Sequence, residues 1–389
     1  MRFSARTDWD VAETRLAQAL RQRRAAGLPL LDLTASNPTQ CGFHYDEAAI
    51  LAALGDRRAM KYDPDPRGLL PAREAVARYY AGHGAKISPD QIFLTTSTSE
   101  AYSWAFRLLC NAGEEVLIAQ PSYPLFDFLA QLEDVQLRPY PLFYDHGWHI
   151  DVAGLRERIS PATRAIAVVH PNNPTGHRTH ERSELEKLCA DHGLALVVDE
   201  VFLDYPLTDS AAASFAAGEH RALTFVLSGI SKIAALPQMK TAWIAAAGPE
   251  RDLRPALERL EVIADTFLSM NAPVQWALGT WLDGAGAVQE QIRRRTRANL
   301  QVVDAALARC PAVTRLEVEA GWYAVLRVPA LERDEDLAIR LIEDRGVSVH
   351  PGYFFGFSGD GWLVASLLTS EEEFREGIEA ICGHFQTAR

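Results

Sequence analysis

Between residues 47 and 269, the chain alternates short apolar runs with segments whose apolar residues recur at helical spacing. The runs at residues 165–169 and 194–198 are apolar at every position, and a third ends at Leu227. Such runs are typical of strands buried on both faces of a parallel sheet. Because parallel strands need crossover connections, usually helices, the alternation predicts an α/β domain. Its mostly parallel sheet is expected to lie between layers of helices.

The length of 389 residues exceeds the usual size of one domain. We predict an N-terminal arm, residues 1–46, which contributes to a small domain. A large domain follows at residues 47–275. Residues 276–389 are predicted to form an interdomain helix and the rest of a smaller α+β domain. The interdomain helix is expected to be one long element, because its helical pattern runs from Pro273 to Leu300.

Charge and cysteine usage limit the possible partners and the compartment. A formal net charge of −12 argues against binding to nucleic acid or to an anionic membrane. The five cysteines are scattered singly, which argues against a metal site and suits a reducing compartment. We find neither a signal sequence nor an apolar run of about 18 residues, so we expect a cytoplasmic protein. The triplet at residues 284–286 lacks the third glycine and the preceding strand of a dinucleotide-binding loop.

Three polar side chains follow the apolar runs. Asp199 ends the run at 194–198, Asn173 lies in the loop after 165–169, and Lys232 follows the run that ends at Leu227. In open α/β sheets, ligands bind outside the carboxyl ends of the strands. A lysine there suggests an amine kept for chemistry, such as a Schiff base with an aldehyde cofactor. Each residue alone is also compatible with a solvated lysine, a helix cap or a tight turn.

The ordered set of Tyr123, Asn173, Asp199 and Lys232 resembles the class I/II aminotransferase family of fold-type I pyridoxal-phosphate enzymes. The resemblance spans residues 31–381 and implies a homodimer that binds pyridoxal 5′-phosphate. The implied reaction moves an amino group from an amino acid or amine to a 2-oxo acid. Lys232 would hold the cofactor and move the substrate proton, and Asp199 would pair with the ring nitrogen. Asn173 would donate to the ring hydroxyl oxygen, and Tyr123 would stack on the ring.

The resemblance also implies a cradle for the cofactor phosphate. Its members are hydroxyl or cationic side chains, several of them at a helix N-terminus where backbone amides are free to bind an anion. They are Ser97, Thr98, Ser99, Ser228, Ser231 and Lys240. Tyr62 resembles the tyrosine that reaches the phosphate of the neighbouring subunit, so the active site is expected to be shared in the dimer.

Three positions depart from the family pattern. Lys240 replaces an arginine on the phosphate, and Phe202 replaces a tyrosine on the ring hydroxyl. Val364 replaces the arginine that clamps the substrate α-carboxylate. Because a carboxylate facing valine is left unpaired, either another cation takes over or the substrate lacks that carboxylate. We take Arg67 as the candidate cation and add Asn37 as a second substrate-binding candidate.

Two other functions stay open at this point. The same cofactor and lysine serve lyases and decarboxylases, and the missing clamp weakens the inference from family to reaction. A non-catalytic regulatory protein that binds the cofactor is less favoured, because such proteins act on DNA and this chain is acidic.

Overall fold

A computed structural model describes residues 1–210 and 212–387. The helices are α1 (Arg15–Ala25), α2 (Glu47–Ala52), α3 (Leu70–Gly82), α4 (Thr98–Leu109), α5 (Phe126–Leu132), α6 (Val152–Glu157), α7 (Arg182–His192), α8 (Ile230–Ile233), α9 (Glu250–Phe267), α10 (Ala272–Gly284), α11 (Gly286–Leu307), α12 (Asp334–Arg340) and α13 (Glu371–Thr387). The strands are β1 (Leu31–Asp32), β2 (Ile92–Thr95), β3 (Glu115–Gln120), β4 (Gln136–Tyr144), β5 (Trp148–Ile150), β6 (Thr163–Val169), β7 (Ala195–Asp199), β8 (Thr224–Gly229), β9 (Ala242–Ala247), β10 (Thr314–Arg315), β11 (Tyr323–Arg327), β12 (Val347–Ser348), β13 (His350–Pro351) and β14 (Trp362–Ser366).

The large sheet has the strand order β2-β9-β8-β7-β6-β3-β4-β5. Its central strands, from β8 through β7, β6 and β3 to β4, are parallel, whereas β9 and β5 pair antiparallel with their neighbours. Alternate residues of one strand enter two different cores, as Val198 packs on one face of the sheet and Val197 on the other. The predicted α/β fold is confirmed. Burial on both faces of the sheet explains why these strands are continuously apolar in the sequence.

The second, smaller sheet is antiparallel, with the order β10-β11-β14-β13. The N-terminal segment joins this part of the molecule through β1, which pairs in parallel with β12. Leu33 lies in the same apolar core as Phe374 and Ile378 of α13. These contacts suit the predicted small domain, while the domain boundaries themselves stay a prediction.

The prediction of one long helix after Pro273 is wrong, because the segment forms two helices, α10 and α11. The break between α10 and α11 lies at residues 284–286, where two glycines flank Ala285. Glycine inside a helix costs about 1 kcal/mol relative to alanine, so this triplet is a weak point in the helical pattern. Trp281 of α10 packs into a core of the large sheet, whereas Val303 of α11 packs into the core of the small one.

The topology brings the carboxyl ends of β6, β7 and β8 together at one edge of the large sheet. In the register of the sheet, Val169 lies opposite Asp199, and Asp199 lies opposite Leu227. The segments that follow these strands therefore begin side by side. Across the described ranges, we find no helix that is both long and apolar enough to cross a membrane.

Candidate active site

Lys232 lies in the single turn of α8, directly after β8. Burial lowers the pKa of its amine to about 8, and the nearby charge of Asp199 only partly opposes this shift. The amine nitrogen lies 5.0 Å from the ring centroid of Trp322 and 5.9 Å from that of Phe202. The Tyr205 hydroxyl donates to the Lys232 carbonyl at 2.5 Å, which fixes the backbone below the amine. The site therefore holds an amine that is partly neutral near physiological pH.

Asp199, at the end of β7, is a buried carboxylate. Burial raises its pKa to about 6, although the Val201 N–H, the Tyr102 hydroxyl and the Lys232 amine favour the ionised form. The hydrogen bond from Val201 N to Asp199 Oδ1 is 3.1 Å long. The groups around the ionised Asp199 carboxylate do not fully offset the loss of its hydration. A cationic group placed against it would therefore interact strongly with it.

Asn173 lies in the loop that follows β6, and its side chain is buried. Within the described chain, Asn173 Oδ1 has no hydrogen-bond partner. The neighbouring Asn172 is fully used, because its Oδ1 accepts from Thr175 Oγ1 at 2.9 Å and holds the loop closed. A buried carbonyl oxygen without a partner costs about 1–3 kcal/mol, so Asn173 has an unused acceptor that a ligand could satisfy.

Gly176 ends this loop in the left-handed region, with a φ of 68°. A Cβ atom there would lie 2.3 Å from the carbonyl oxygen of Ala320. The Ala320 N–H donates to the Gly176 carbonyl at 3.1 Å. Glycine therefore allows the Asn173 loop to press against the segment that leads into β11.

The predicted phosphate residues meet at a neighbouring point of the same edge. Thr95 at the end of β2 and Gly229 at the end of β8 both lie opposite Ala242 at the start of β9. Three segments therefore lie close together: the one after Thr95, the one after Gly229 and the one before Ala242. These segments carry the predicted phosphate residues Ser97, Thr98, Ser99, Ser231 and Lys240. The structure thus brings most of the predicted cradle to one place.

The predicted phosphate-binding side chains differ in whether they already have hydrogen-bond partners in the fold. Ser97 caps α4, and its hydroxyl accepts from the Glu100 N–H at 3.2 Å. Ser228 is buried, and its hydroxyl points toward the Glu200 carbonyl at 3.5 Å, so it already has a partner. Lys240 is exposed at a left-handed position after a short 3₁₀ turn. Thr98 and Ser99 form no side-chain hydrogen bond among the residues that the structure describes.

Tyr123 follows β3 at the same edge and is 40% exposed. Its ring meets Phe126 edge to face, with centroids 6.2 Å apart. Burial raises the pKa of its hydroxyl, and the charge of Asp199 adds to the shift. Tyr123 therefore lies within electrostatic range of Asp199 and offers a ring face at the mouth of the site.

The comparison with known families decides how this geometry is classified. The model of the family described as aminotransferase class I and II matches residues 29–381. The chain belongs to the class I and II aminotransferase family. The resemblance inferred from the ordered motifs is therefore confirmed.

Relatives of this family member include glutamate-pyruvate aminotransferase AlaA of Escherichia coli strain K12. That protein is 28% identical over 269 residues, which are 68% of this chain and 66% of the relative, slightly under two thirds of its length. The alanine aminotransferase of Mycobacterium bovis is 26% identical over 372 residues, which are 93% of this chain and 86% of that protein.

Solved structures of the family share the fold. The alanine aminotransferase of Pyrococcus furiosus has a TM-score of 0.89 at 22% identity, covering 99% of this chain and 100% of that one. A mutant aspartate aminotransferase of Thermus thermophilus has a TM-score of 0.84 at 25% identity, with 98% and 100% coverage. The predicted fold-type I architecture is confirmed.

Arg67 and Asn37, the two residues predicted to bind substrate, both have hydrogen-bond partners inside the fold. The Arg67 guanidinium pairs with Glu261 Oε2 at 2.6 Å and also donates to the Asp90 carbonyl. The Asn37 side chain is exposed and caps the following turn by accepting from Thr39 Oγ1 at 2.8 Å. Both side chains thus have partners inside the fold, and their roles in substrate binding stay predictions.

Tyr62 is 82% exposed and lies in a surface groove together with Lys61 and Trp276. Tyr62 is predicted to contact the neighbouring subunit. The structure of one chain does not test this contact, which stays a prediction. An exposed tyrosine in a groove is compatible with burial against a second copy.

Val364 is fully buried on β14, opposite Val325 of β11 and His350 of β13. Burial lowers the pKa of His350 to about 4, so its imidazole is neutral at physiological pH. No cation therefore replaces the arginine among the residues paired with Val364.

Sequence reasoning missed three aromatic residues in this family member's site: Tyr102, Tyr205 and Trp322. Trp322 faces the Lys232 amine from the loop before β11. Tyr102 of α4 lies beside Asp199. The helical spacing of Thr98 and Tyr102 was a usable signal, since residues four apart share a helix face. For Trp322 the sequence held no signal, because the loop comes from the other domain.

Proposed function

We propose that this protein is a pyridoxal-phosphate-dependent aminotransferase that moves an amino group from an amino acid or amine to a 2-oxo acid. The observation that carries the proposal is the convergence of Lys232, Asp199 and Asn173 at the carboxyl ends of three adjacent strands. The names of the relatives support the reaction, since two of them are alanine or glutamate-pyruvate aminotransferases. No feature of the described site favours the lyase alternative.

The unsatisfied groups of the site match the needs of pyridoxal phosphate. The Asp199 carboxylate, whose pKa is raised to about 6 by burial, would pair with the protonated ring nitrogen. The Asn173 side-chain N–H would donate to the ring oxygen, and its Oδ1 has no partner within the described chain. The first-turn amides of α4, with the Thr98 and Ser99 hydroxyls and Lys240, would hold the phosphate. Tyr123 would lie on the ring face.

Pyridoxal phosphate, when bound, draws electrons from the carbon that carries the substrate amino group into its ring. Lys232 then has to accept and return a proton at its amine nitrogen. An amine with a pKa of about 8 suits both tasks, because neither its neutral nor its charged form is strongly disfavoured at physiological pH. Trp322 and Phe202 keep the amine away from bulk water.

The proposal includes a homodimer whose partner contributes its Tyr62 to the phosphate. The high exposure of Tyr62 in this chain supports it. We also propose that the protein works in the cytoplasm, because all five cysteines are free.

The test is an absorbance spectrum of the purified protein with added cofactor, followed by titration with amino acids and amines. We expect a visible cofactor band that is absent in Lys232→Ala and present in Lys86→Ala, a control lysine that is exposed. With a suitable donor, the band should convert to that of the amine form while one equivalent of oxo product appears. Release of ammonia, or a band that survives in Lys232→Ala, would contradict the proposal.

A further inference from the structure

The turn that carries the reactive amine depends on other parts of the chain for its shape. α8 has only four residues, and the last carbonyls of a helix have no partner within the helix. The chain leaves this turn through Ala235, whose φ of 54° lies in the left-handed region. A residue with a Cβ atom is disfavoured there, so the exit needs external support. The Tyr45 hydroxyl supplies part of it by donating to the Ala235 carbonyl at 3.1 Å.

Two further side chains hold the turn itself. The Tyr205 hydroxyl donates to the Lys232 carbonyl at 2.5 Å, and Gln289 Nε2 donates to the Ile233 carbonyl at 2.9 Å. The two donors come from different segments, one after β7 and one on α11. Each carbonyl therefore has its own donor, and the loss of one hydrogen bond leaves the other in place.

Tyr205 differs from the other donors because it also touches the aromatic ring that faces the amine. Its ring meets that of Trp322 edge to face, with centroids 4.9 Å apart. Its carbonyl accepts from the Gly321 N–H at 2.9 Å, which holds the segment that carries Trp322. The Trp322 centroid lies 5.0 Å from the Lys232 amine nitrogen. One buried residue thus contacts both the backbone of the lysine and the ring beside its amine.

These contacts limit the freedom of a flexible side chain. Lysine carries its amine on a four-carbon stem, which by itself allows many positions. A general base must lie within hydrogen-bonding reach of the proton that it moves, and a displacement of about 1 Å can slow a reaction about 100-fold. Because Tyr205 holds the lysine backbone and the Trp322 ring relative to each other, it restricts where the amine can lie.

We propose that Tyr205 is a positioning residue, which fixes the Lys232 amine beside the Trp322 ring and so aligns it for transfer of the substrate proton. The proposal rests on the proposed aminotransferase function and adds one residue to its mechanism. Tyr205 acts through Lys232, since its hydroxyl is bonded to the lysine carbonyl. That carbonyl also accepts from the Ala235 N–H at 3.1 Å, so removing the hydroxyl leaves no buried carbonyl unpaired.

The test compares Tyr205→Phe with a matched control, Tyr140→Phe. Tyr140 is as deeply buried as Tyr205, at 1% exposure, and its hydroxyl also donates to a backbone carbonyl, that of Ala167, at 3.1 Å. Each variant loses one hydrogen bond from a tyrosine to a carbonyl. Both should therefore unfold at similar temperatures, slightly below that of the unchanged protein. A larger effect of Tyr205→Phe on the amine then reflects the position of the amine and not the stability of the protein.

The first readout is made on the full chain without cofactor. Lys232 is labelled with trinitrobenzenesulfonate over a range of pH, and its labelled peptide is quantified by mass spectrometry. Burial places the pKa of this amine at about 8. Tyr205→Phe should raise the labelling midpoint by about one pH unit, because an amine that moves away from the ring gains water. Tyr140→Phe should leave the midpoint unchanged.

The second readout is made on the holoenzyme. L-Alanine and L-glutamate, each with hydrogen or deuterium on the amine-bearing carbon, convert the cofactor band in single-turnover experiments. Tyr205→Phe should slow the conversion at saturating donor by about tenfold and change the donor dissociation constant by less than about twofold. The isotope effect should increase, because a misplaced base makes proton transfer the slower step.

The proposal fails when Tyr205→Phe keeps the labelling midpoint of the unchanged protein, when it keeps the conversion rate and the isotope effect, or when Tyr140→Phe causes the same changes. If the unchanged holoenzyme converts neither donor, the aminotransferase function itself fails for these donors. The labelling midpoint, which needs no cofactor, still decides in that case whether Tyr205 fixes the amine.

Discussion

The buried imidazole of His177 connects the Asn173 loop to the segment before β11, and its ion pairs should depend on pH. His177 Nε2 lies 3.6 Å from Glu181 Oε2, and His177 Nδ1 lies 3.8 Å from Glu319 Oε2. Glu319 precedes Ala320, which is bonded to Gly176 of the loop. The two carboxylates raise the pKa of His177 despite its burial, and the pKa of Glu319 is lowered to about 2.

The change we propose is Glu319→Gln, which removes the charge and keeps an oxygen for the Arg178 N–H, now 2.9 Å from Glu319. Opposite charges at this distance attract by about 4 kcal/mol at an effective dielectric constant of about 20, before desolvation is subtracted. Desolvation of a buried imidazolium cancels much of this gain. We therefore expect a net loss of about 2 kcal/mol, roughly half of that attraction.

The sign of the pH dependence follows from the direction of the shift. Because the pKa of His177 is raised on folding, its stabilising contribution is fully present below the ordinary pKa of about 6.5 and is lost as the pH rises through the folded value. For 389 residues, a loss of 2 kcal/mol corresponds to a decrease of about 2–3 °C in melting temperature. The decrease should be present at pH 6 and smaller at pH 9.

The assay is thermal unfolding of the holoenzyme at both pH values, for the unchanged protein, Glu319→Gln and Glu317→Gln. Glu317 is the matched control, because it is exposed two residues away. Equal destabilisation of Glu319→Gln at pH 6 and pH 9, or the same decrease in Glu317→Gln, would refute an ion pair that depends on His177.

Three further predictions concern the cofactor site. Asp199→Asn should weaken cofactor binding by about 30-fold or more in an absorbance titration, because a buried charge loses its partner, and unchanged affinity would argue against the pairing. In the cofactor-free protein, labelling of Lys232 by trinitrobenzenesulfonate should be half-maximal near pH 8, because burial lowers the pKa of that amine. A midpoint above pH 10 would contradict the lowered pKa. Phe202→Tyr should lower the pKa seen in the pH titration of the visible cofactor band by about one unit, which corresponds to one hydrogen bond. No shift would mean that the new hydroxyl does not reach the ring oxygen.

The central residues of the site could be predicted because their positions follow from strand ends alone. Each of Asn173, Asp199 and Lys232 comes within a few residues of a strand whose burial makes it apolar. Parallel neighbours in one sheet bring such ends to a common edge. Local sequence was therefore sufficient for the positions of the three groups and for the fold class, whereas their roles came from the resemblance to the family.

Arg67 could not be judged in this way, because its partner is distant in sequence. Glu261 lies on α9, and nothing near Arg67 indicates that the two will meet. The ion pair between His177 and Glu319 has the same origin, as does the hydrogen bond from Ser366 to the Ala35 carbonyl. Each joins segments from different parts of the chain, and neither periodicity nor motif spacing records such contacts.

The departures at Phe202 and Val364 are connected through the residues between them. A tyrosine at position 202 would need a partner for its hydroxyl, whereas the phenylalanine packs edge to face on both Trp322 and Tyr323. Val364 lies two residues from Ser366, which faces Tyr323 across the sheet and ties down the Ser36 segment. Phe202 is thus held by two aromatic rings, and Val364 is buried opposite Val325, so both replacements have apolar neighbours inside the fold.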